Sequence, residues 1–144
     1  MRVLGVDIGL KRTGLALSDE TGTAIRLLPN LTAQSRVAAL SKILNLVRDF
    51  SIQAIVIGCP SPNTTGSKAI ASRALGLKQA LDEALREHGL AVKTFVWDET
   101  LTSKKASSKL VEAGVPKKKR SLMLDAASAA VLVEEFLYTH KGLL

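Results

Sequence analysis

An acidic residue ends an apolar segment near the beginning of the chain and is followed by a basic turn. Asp7 comes after the apolar residues 3–6, and segment 9–14 contains two glycines together with Lys11 and Arg12. An unpaired charge in a buried strand costs several kcal/mol and must be offset by a metal or a partner. Asp7 is therefore a candidate for holding a cation, and Lys11 and Arg12 for holding a phosphate. The alternative is a hairpin in which Asp7 only accepts backbone hydrogen bonds.

Two further acidic positions could join Asp7. The pair Asp98 and Glu99 follows a predicted strand, and alternation does not decide which of them faces Asp7, because helices should cover both sheet faces. Asp125 lies on the buried stripe of the last predicted helix. That stripe consists of Leu122, Asp125, Ala129, Leu132 and Phe136. The alternative for Asp125 is an acid that complements the dipole of a helix N-terminus.

Three carboxylates in one cleft predict a divalent-metal site. Converging carboxylates repel one another unless cations lie between them. Mg²⁺ prefers oxygen ligands and keeps positions open for water and phosphate. Two such ions about 4 Å apart hold the attacking water and the leaving oxygen of a phosphodiester displacement. The pattern therefore indicates a Mg²⁺- or Mn²⁺-dependent nuclease, with two metal ions expected.

The order of predicted elements indicates how these acids would meet. The predicted strands are 2–8, 14–19, 23–31, 54–58 and 91–97, and the predicted helices are 34–49, 67–88, 102–113 and 121–138. This order predicts one α/β domain with a five-stranded mixed sheet flanked by helices, in which an antiparallel three-strand meander is joined to two parallel crossover strands. Pro29 places the third strand at an edge. Parallel strands end at one edge of the sheet, where ligands bind. The basic run 117–120 is predicted as a loop.

Composition narrows the possible partners. The 144 residues carry a net charge of +7, which favours polyanions such as nucleic acid. Aromatic residues make up only 3% of the chain, so phosphates and shape rather than stacked bases would be read. The single cysteine, Cys59, excludes an internal disulfide and a cysteine-based zinc site. With no membrane span and no secretion signal expected, we predict a cytoplasmic protein.

The chain resembles the YqgF/RuvX family of Holliday junction resolvases and pre-16S rRNA nucleases, within the ribonuclease H-like superfamily. The resemblance covers essentially the whole length. Its motifs are Asp7-Ile8-Gly9 with Arg12, Gly14, Ser18 and Asp19; Gly58, Pro60, Asn63 and Gly66; Asp98-Glu99; and Asp125 before an alanine-rich helix. The resemblance implies a single ribonuclease H-like domain over residues 1–144, with a two-metal carboxylate site that cleaves structured nucleic acid.

The family's functional residues carry over onto matching positions. The resemblance implies that the catalytic acids are Asp7, Asp98, Glu99 and Asp125, and that the metal ligands among them are Asp7, Glu99 and Asp125. The candidates for substrate contact are Lys11, Arg12, Asn63, Lys104 and Lys105. The chain departs from the family at Thr100, where an arginine usually follows the acidic pair, and Lys104 and Lys105 are possible substitutes. Ser128 stands where alanine is expected.

Several functions remain open on the sequence. The first is 5′-end processing of precursor 16S rRNA, and the second is cleavage of four-way DNA junctions, which would call for a two-fold dimer rather than a monomer. A third is a non-catalytic nucleic-acid-binding domain, which Thr100 favours. A fourth, a sugar-kinase-like or actin-like ATPase, is disfavoured, because such proteins need a second domain and this sequence has no phosphate-binding G-x-x-x-x-G-K-[ST] loop. We therefore expect no nucleotide cofactor.

Overall fold

The computed structural model describes residues 1–9, 12–32, 35–59, 67–98 and 102–140. The strands in this part of the chain are β1 (Val3–Ile8), β2 (Arg12–Ser18), β3 (Ile25–Thr32), β4 (Ala54–Cys59) and β5 (Lys93–Asp98). The helices are α1 (Arg36–Phe50), α2 (Ser67–Glu87), α3 (Thr102–Glu112) and α4 (Lys117–Thr139). None of these helices is both long and apolar enough to cross a bilayer.

The five strands form one mixed sheet in the order β3-β2-β1-β4-β5. β1 and β2 pair antiparallel, as do β2 and β3, whereas β1 and β4, and β4 and β5, pair parallel. The predicted meander with two parallel crossover strands is confirmed. β3 is an edge strand, as Pro29 predicted, because proline cannot donate to a second neighbour.

Alternation along β1 separates two apolar layers. Leu4, Val6 and Ile8 pack with α1 and α2 on one face of the sheet. Val3 packs with α4 residues such as Phe136 on the other face, in a layer that also contains Val56. α3 packs on α4 through a third cluster that includes Ala106 and Val131. Since both faces are covered, β1 and β4 are buried along nearly their whole length.

The start of α4 differs from the sequence prediction. The basic run 117–120 was predicted as a loop, but it forms the first turn of α4, directly after Pro116. Lysine and arginine are good helix formers, and Pro116 at the start needs no N–H donor, so the helix begins four residues earlier than the apolar pattern does. The predicted stripe was also wrong at Leu122, whose exposed fraction is 68%, because α4 meets the sheet only from the following turn onward.

Candidate active site

The side chain of Asp7 lies on the α4 face of the sheet, near the carboxyl end of β1. Val3 and Gly5 have the same parity, and they contact α4: Val3 belongs to the Phe136 layer, and a Cβ on Gly5 would lie 2.4 Å from the carbonyl oxygen of Ala129. Asp7 is only 7% exposed. A carboxylate is therefore held between the sheet and the helix that carries the next acid.

Gly14 brings α4 against the strand residue opposite Asp7. Gly14 is the antiparallel partner of Asp7 in β2, so positions 7 and 14 face the same side. A Cβ on Gly14 would lie 1.9 Å from the carbonyl oxygen of Asp125. Only glycine permits this approach of helix to sheet. The backbone of α4 at Asp125 thus rests on the strand pair that carries Asp7, which is how residues distant in sequence converge.

The carboxylate of Asp125 is held by a cation and an amide. Arg12 Nε lies 3.0 Å from Asp125 Oδ2, and the two side chains are 50% and 25% exposed. Asn30 Nδ2 donates to the same oxygen at 3.4 Å. β2 supplies Arg12 and the edge strand β3 supplies Asn30, so two strands of the sheet hold the carboxylate that α4 carries.

Asn30 is a site residue that the sequence analysis missed. Its Nδ2 also donates to the carbonyl oxygen of Leu122 at 3.4 Å, whereas its Oδ1 is buried without a hydrogen-bond partner. An Asn after a proline is typical of a turn, and nothing in its spacing links it to Asp125. Only the β2–β3 pairing places it beside the acid.

The donor set at this position fits a divalent cation of the Mg²⁺ or Mn²⁺ type. It offers the carboxylates of Asp7 and Asp125, and a buried amide oxygen without a partner at Asn30. Carboxylate and carbonyl oxygens suit these ions. Among the residues that the structure describes, no three His, Cys, Asp or Glu side chains form a metal-binding group. The third expected ligand, Glu99, lies outside the described residues.

The end of β5 fixes the side of the sheet on which Asp98 lies. The ring of Trp97 packs edge-on against Phe136, so Trp97 faces α4. Side-chain alternation then places Asp98 on the opposite face of the sheet from α4 and Asp7. Asp98 is exposed at the strand end, where it pairs in register with Cys59. This orientation leaves Asp98 poorly placed to share a cation with Asp7.

The predicted substrate-contact residues fall into two groups. Lys11 and Asn63 lie outside the described residues. Lys104 and Lys105 are exposed on α3, and Lys105 Nζ pairs with Glu135 at 2.7 Å. Glu135 is ten residues beyond Asp125, which corresponds to roughly 15 Å along α4. The structure therefore does not bring Lys105 to the Asp7–Asp125 position, whereas Arg12 contacts Asp125 directly.

Asp19, which matches a family motif, is a turn residue. Its carboxylate accepts hydrogen bonds from the backbone N–H of Thr23 and of Ala24, at 3.0 and 3.3 Å. Desolvation acts to raise the pKa of Asp19, but the hydrogen bond from the Thr21 hydroxyl and those from the backbone lower it below its ordinary value. Asp19 lies at the end of β2 away from Asp7, so it stabilises the turn rather than joining the acid site.

Sequence comparison places the chain among named nucleases. It is 34% identical over 138 residues to a protein of Syntrophus aciditrophicus with the name "Putative pre-16S rRNA nuclease", covering 95% of this chain and 88% of the relative. A protein of Bacillus cytotoxicus with the same name is 32% identical over 139 residues, covering 95% and 98% of the two chains.

Structural comparison gives the same fold. Thermus thermophilus RuvC in complex with a Holliday junction substrate has a TM-score of 0.59 at 18% identity, covering 99% of this chain and 96% of that one. Fowlpox virus resolvase bound to Holliday junction DNA has a TM-score of 0.56 at 14% identity, covering 98% and 99%. The RuvX family, described as Holliday junction resolvase, matches residues 1–139. The chain belongs to the RuvX family, and its fold is the ribonuclease H-like fold of these resolvases.

Proposed function

We propose that this protein is a divalent-metal-dependent nuclease that processes the 5′ end of precursor 16S rRNA in the cytoplasm. The observation that carries the proposal is the meeting of α4 with β2 at Gly14, which sets Asp125 beside the strand pair that contains the buried Asp7. The names of the relatives in Syntrophus aciditrophicus and Bacillus cytotoxicus support precursor 16S rRNA as the substrate.

Different side chains of the site would bind the metal ions and the phosphate in such a reaction. Asp7 and Asp125 would hold Mg²⁺ or Mn²⁺, with Glu99 as the third ligand and Asn30 beside them. A pair of such ions, when bound, neutralises charge on the phosphate and lowers the pKa of the attacking water. Arg12 is half exposed beside Asp125, so its guanidinium is placed to bind a phosphate that enters the site.

The first turn of α4 supports a polyanionic substrate. Lys117, Lys118 and Lys119 are exposed there, and the first turn contains no acidic residue. Positive side chains at the positive end of a helix dipole destabilise that helix by a few tenths to about 1 kcal/mol each. A bound polyanion would offset this cost. These lysines lie about two helical turns before Asp125, so they extend the positive surface beside the acid site.

A second candidate substrate is the four-way DNA junction. The RuvX family is described as Holliday junction resolvase, and the structural neighbours include RuvC with such a junction. Symmetric cleavage would require two copies of the site, and hence a two-fold dimer. A third candidate, a nucleic-acid-binding domain without catalysis, is favoured only by Thr100, where an arginine is usual in the family.

One assay separates the three candidates. The purified protein is incubated with Mg²⁺ or Mn²⁺ and offered precursor 16S rRNA, a single-stranded RNA and a four-way DNA junction. We expect cleavage of the precursor rRNA. We also expect the rate to fall by about 100-fold or more in Asp7→Asn and in Asp125→Asn, because each change removes a ligand worth several kcal/mol in the transition state.

The matched control is Asp49→Asn, an exposed acid near the end of α1, which should cleave like the wild type. Circular dichroism checks that each variant is folded. Cleavage that survives both Asp7→Asn and Asp125→Asn at the wild-type rate would refute the assignment. Preferential cutting of the junction would support the second candidate, and binding without cleavage under either metal would support the third.

A further inference from the structure

Two arginines line a cavity on the face of the sheet opposite Asp7. The side chain following Asp7, that of Ile8, points to the α1–α2 face and lines an open-sided cavity of about 140 Å³. The polar residues around this cavity come from β2, from the N-terminus of α1 and from α2. They are Thr13, Ser35, Arg36 and Arg73.

Arg73 connects this cavity to the turn that follows Asp7. Its Nη1 donates to the carbonyl oxygen of Gly9 at 3.1 Å, and its side chain is half-buried. Gly9 in turn donates its N–H to the carbonyl oxygen of Arg12 at 2.8 Å. The guanidinium of Arg73 is thus fixed at the same strand end that carries the acid site, on the other side of the sheet.

The Arg36 guanidinium lies against α2 at Gly76. Gly76 lies in the interior of α2, one turn after Arg73, where glycine weakens a helix relative to alanine. A Cβ at position 76 would lie 2.3 Å from Nη2 of Arg36. The missing side chain therefore gives the guanidinium room to lie against α2 and brings it to the same cavity as Arg73.

The charged side chains among the described lining residues of the cavity are both positive, Arg36 and Arg73. No Asp or Glu is among its described lining residues, and no ion pair joins Arg36 to an acid in the described part of the chain. The cavity also lies at the N-terminus of α1, whose partial charge is positive and whose cap is Ser35. The Arg36 guanidinium and the positive end of α1 raise one another's electrostatic energy unless an anion lies beside them.

We propose that this cavity binds a backbone phosphate of the nucleic acid, separate from the phosphate that is cleaved. Arginine presents paired N–H donors that match phosphate oxygens, and helix N-termini bind phosphate for the same electrostatic reason. Asp7 and Ile8 are consecutive and point to opposite faces. A nucleic-acid strand that crosses the sheet edge where β1 and β2 meet would therefore place one phosphate at Asp7 and Asp125. It would place another at Arg36 and Arg73. The inference rests on the proposed function only in taking nucleic acid as the ligand.

The test compares two arginines of α1. Arg36→Gln and Arg48→Gln remove the same charge from exposed positions of one helix, twelve residues and roughly 18 Å apart. Binding of a single-stranded RNA oligomer with a 5′-hydroxyl is measured by fluorescence anisotropy in EDTA over a range of salt concentrations. For Arg36→Gln we expect Kd to rise about five-fold more than for Arg48→Gln at about 0.1 M salt, and the salt slope to fall by about 0.7, the value for one phosphate contact on a single strand.

A second variant tests the seat of Arg36 without removing its charge. Gly76→Ala keeps both arginines but forces the Arg36 guanidinium away from α2, and since that group is at the end of a flexible side chain the protein should still fold. We expect Gly76→Ala to reproduce the lower salt slope of Arg36→Gln. A slope equal to that of Arg48→Gln, in either Arg36→Gln or Gly76→Ala, would overturn the proposal.

Repeating the measurement with a 5′-phosphorylated oligomer distinguishes an internal phosphodiester from a terminal phosphate. An equal loss of affinity on both oligomers supports the internal phosphate, and a loss restricted to the 5′-phosphorylated RNA would overturn it. In cleavage assays we expect Arg36→Gln to raise KM with kcat unchanged. The EDTA binding measurement does not depend on cleavage, so failure of the nuclease assignment and failure of this site give different results.

Discussion

Asp7 and Gly14 face each other across the first two strands, and the carbonyl group of Asp125 rests on Gly14. The distance between α4 and the sheet is therefore set by a residue that has no side chain. The register between β2 and β3 also shifts between Thr13 and Leu15, on either side of this contact. Position 14 thus controls both the packing of α4 and the placement of its acid.

Gly14→Ala is expected to destabilise the protein strongly. The added Cβ would lie 1.9 Å from the Asp125 carbonyl oxygen, and a helix backbone cannot move aside as a flexible side chain can. We expect the free energy of unfolding to fall by about 3 kcal/mol or more, at the upper end of overpacking effects. Urea denaturation measures it. Gly76→Ala is the matched control, because its Cβ would meet only the mobile guanidinium of Arg36, and it should unfold at the wild-type urea concentration or above.

Arg12→Gln should separate the contribution of Arg12 to folding stability from its competition with metal ions for the Asp125 carboxylate. Arg12 is half exposed, so its ion pair with Asp125 contributes less than about 1 kcal/mol to folding. Its charge nevertheless competes with any other cation for the same carboxylate. In the absence of nucleic acid we expect Arg12→Gln to bind Mn²⁺ about 2- to 5-fold more tightly by calorimetry, and to bind RNA more weakly. Arg48→Gln should leave the affinity for Mn²⁺ unchanged, and an unchanged Mn²⁺ affinity in Arg12→Gln would contradict the competition.

Ser128→Ala should stabilise the protein. Ser128 is 1% exposed in α4, and its hydroxyl oxygen has no hydrogen-bond partner. Removing an unsatisfied buried hydroxyl and gaining the higher helix propensity of alanine should together raise the free energy of unfolding by about 1 kcal/mol. Ser121→Ala is the control, because the Ser121 hydroxyl is exposed and donates to the carbonyl oxygen of Lys118, so only the helix-propensity gain applies and the increase should be smaller. A loss of stability in Ser128→Ala would show that the hydroxyl is satisfied.

Asp82 should make part of the stability depend on acid. Burial raises the pKa of the Asp82 carboxyl, but the Lys78 ammonium at 2.8 Å and the Thr94 hydroxyl outweigh it and lower the pKa below the ordinary value of 3.8. The folded state therefore favours the carboxylate. Its contribution is present above pH 3.8 and is lost as the pH falls through the lower folded-state pKa.

Asp82→Asn tests this dependence. Because the side chain is 39% exposed, we expect a loss of at most about 1 kcal/mol at neutral pH, which disappears on acidification below pH 3.8. Urea titrations of the variant, the wild type and Asp49→Asn over this range measure the difference. If the difference in free energy of unfolding between wild type and Asp82→Asn is the same at every pH, the result contradicts a charge effect.

The strands, their order along the chain and the acidic residues at their ends were predictable because their signals are local. A central strand such as β4 shows as an unbroken apolar run, and Pro29 marks an edge strand through its missing N–H donor. The register that sets Gly14 opposite Asp7 is not visible in a local pattern, since it depends on pairing between strands. For the same reason Asn30 was missed, although it lies beside Asp125.

Other positions required packing information that the sequence does not contain. The face on which Asp98 lies could not be predicted, because it depends on the contact of the Trp97 ring with Phe136, which fixes the parity of β5. Leu122 has the spacing of a buried residue, but α4 begins away from the sheet, so the first two turns are exposed. The basic run 117–120 was predicted as a loop because it is highly charged. Lysine and arginine nevertheless have high helix propensity, and the run is helical.

The contact between Gly14 and Asp125 also constrains when this protein can become active during its synthesis. β1 and β2 are translated before α4. In the proposed nuclease, a nascent chain that does not yet include α4 holds Asp7 without Asp125, so it lacks part of the proposed metal site. Under that proposal, cleavage should begin only after α4 has been translated and packed on β2, as a consequence of the order in which the elements are made.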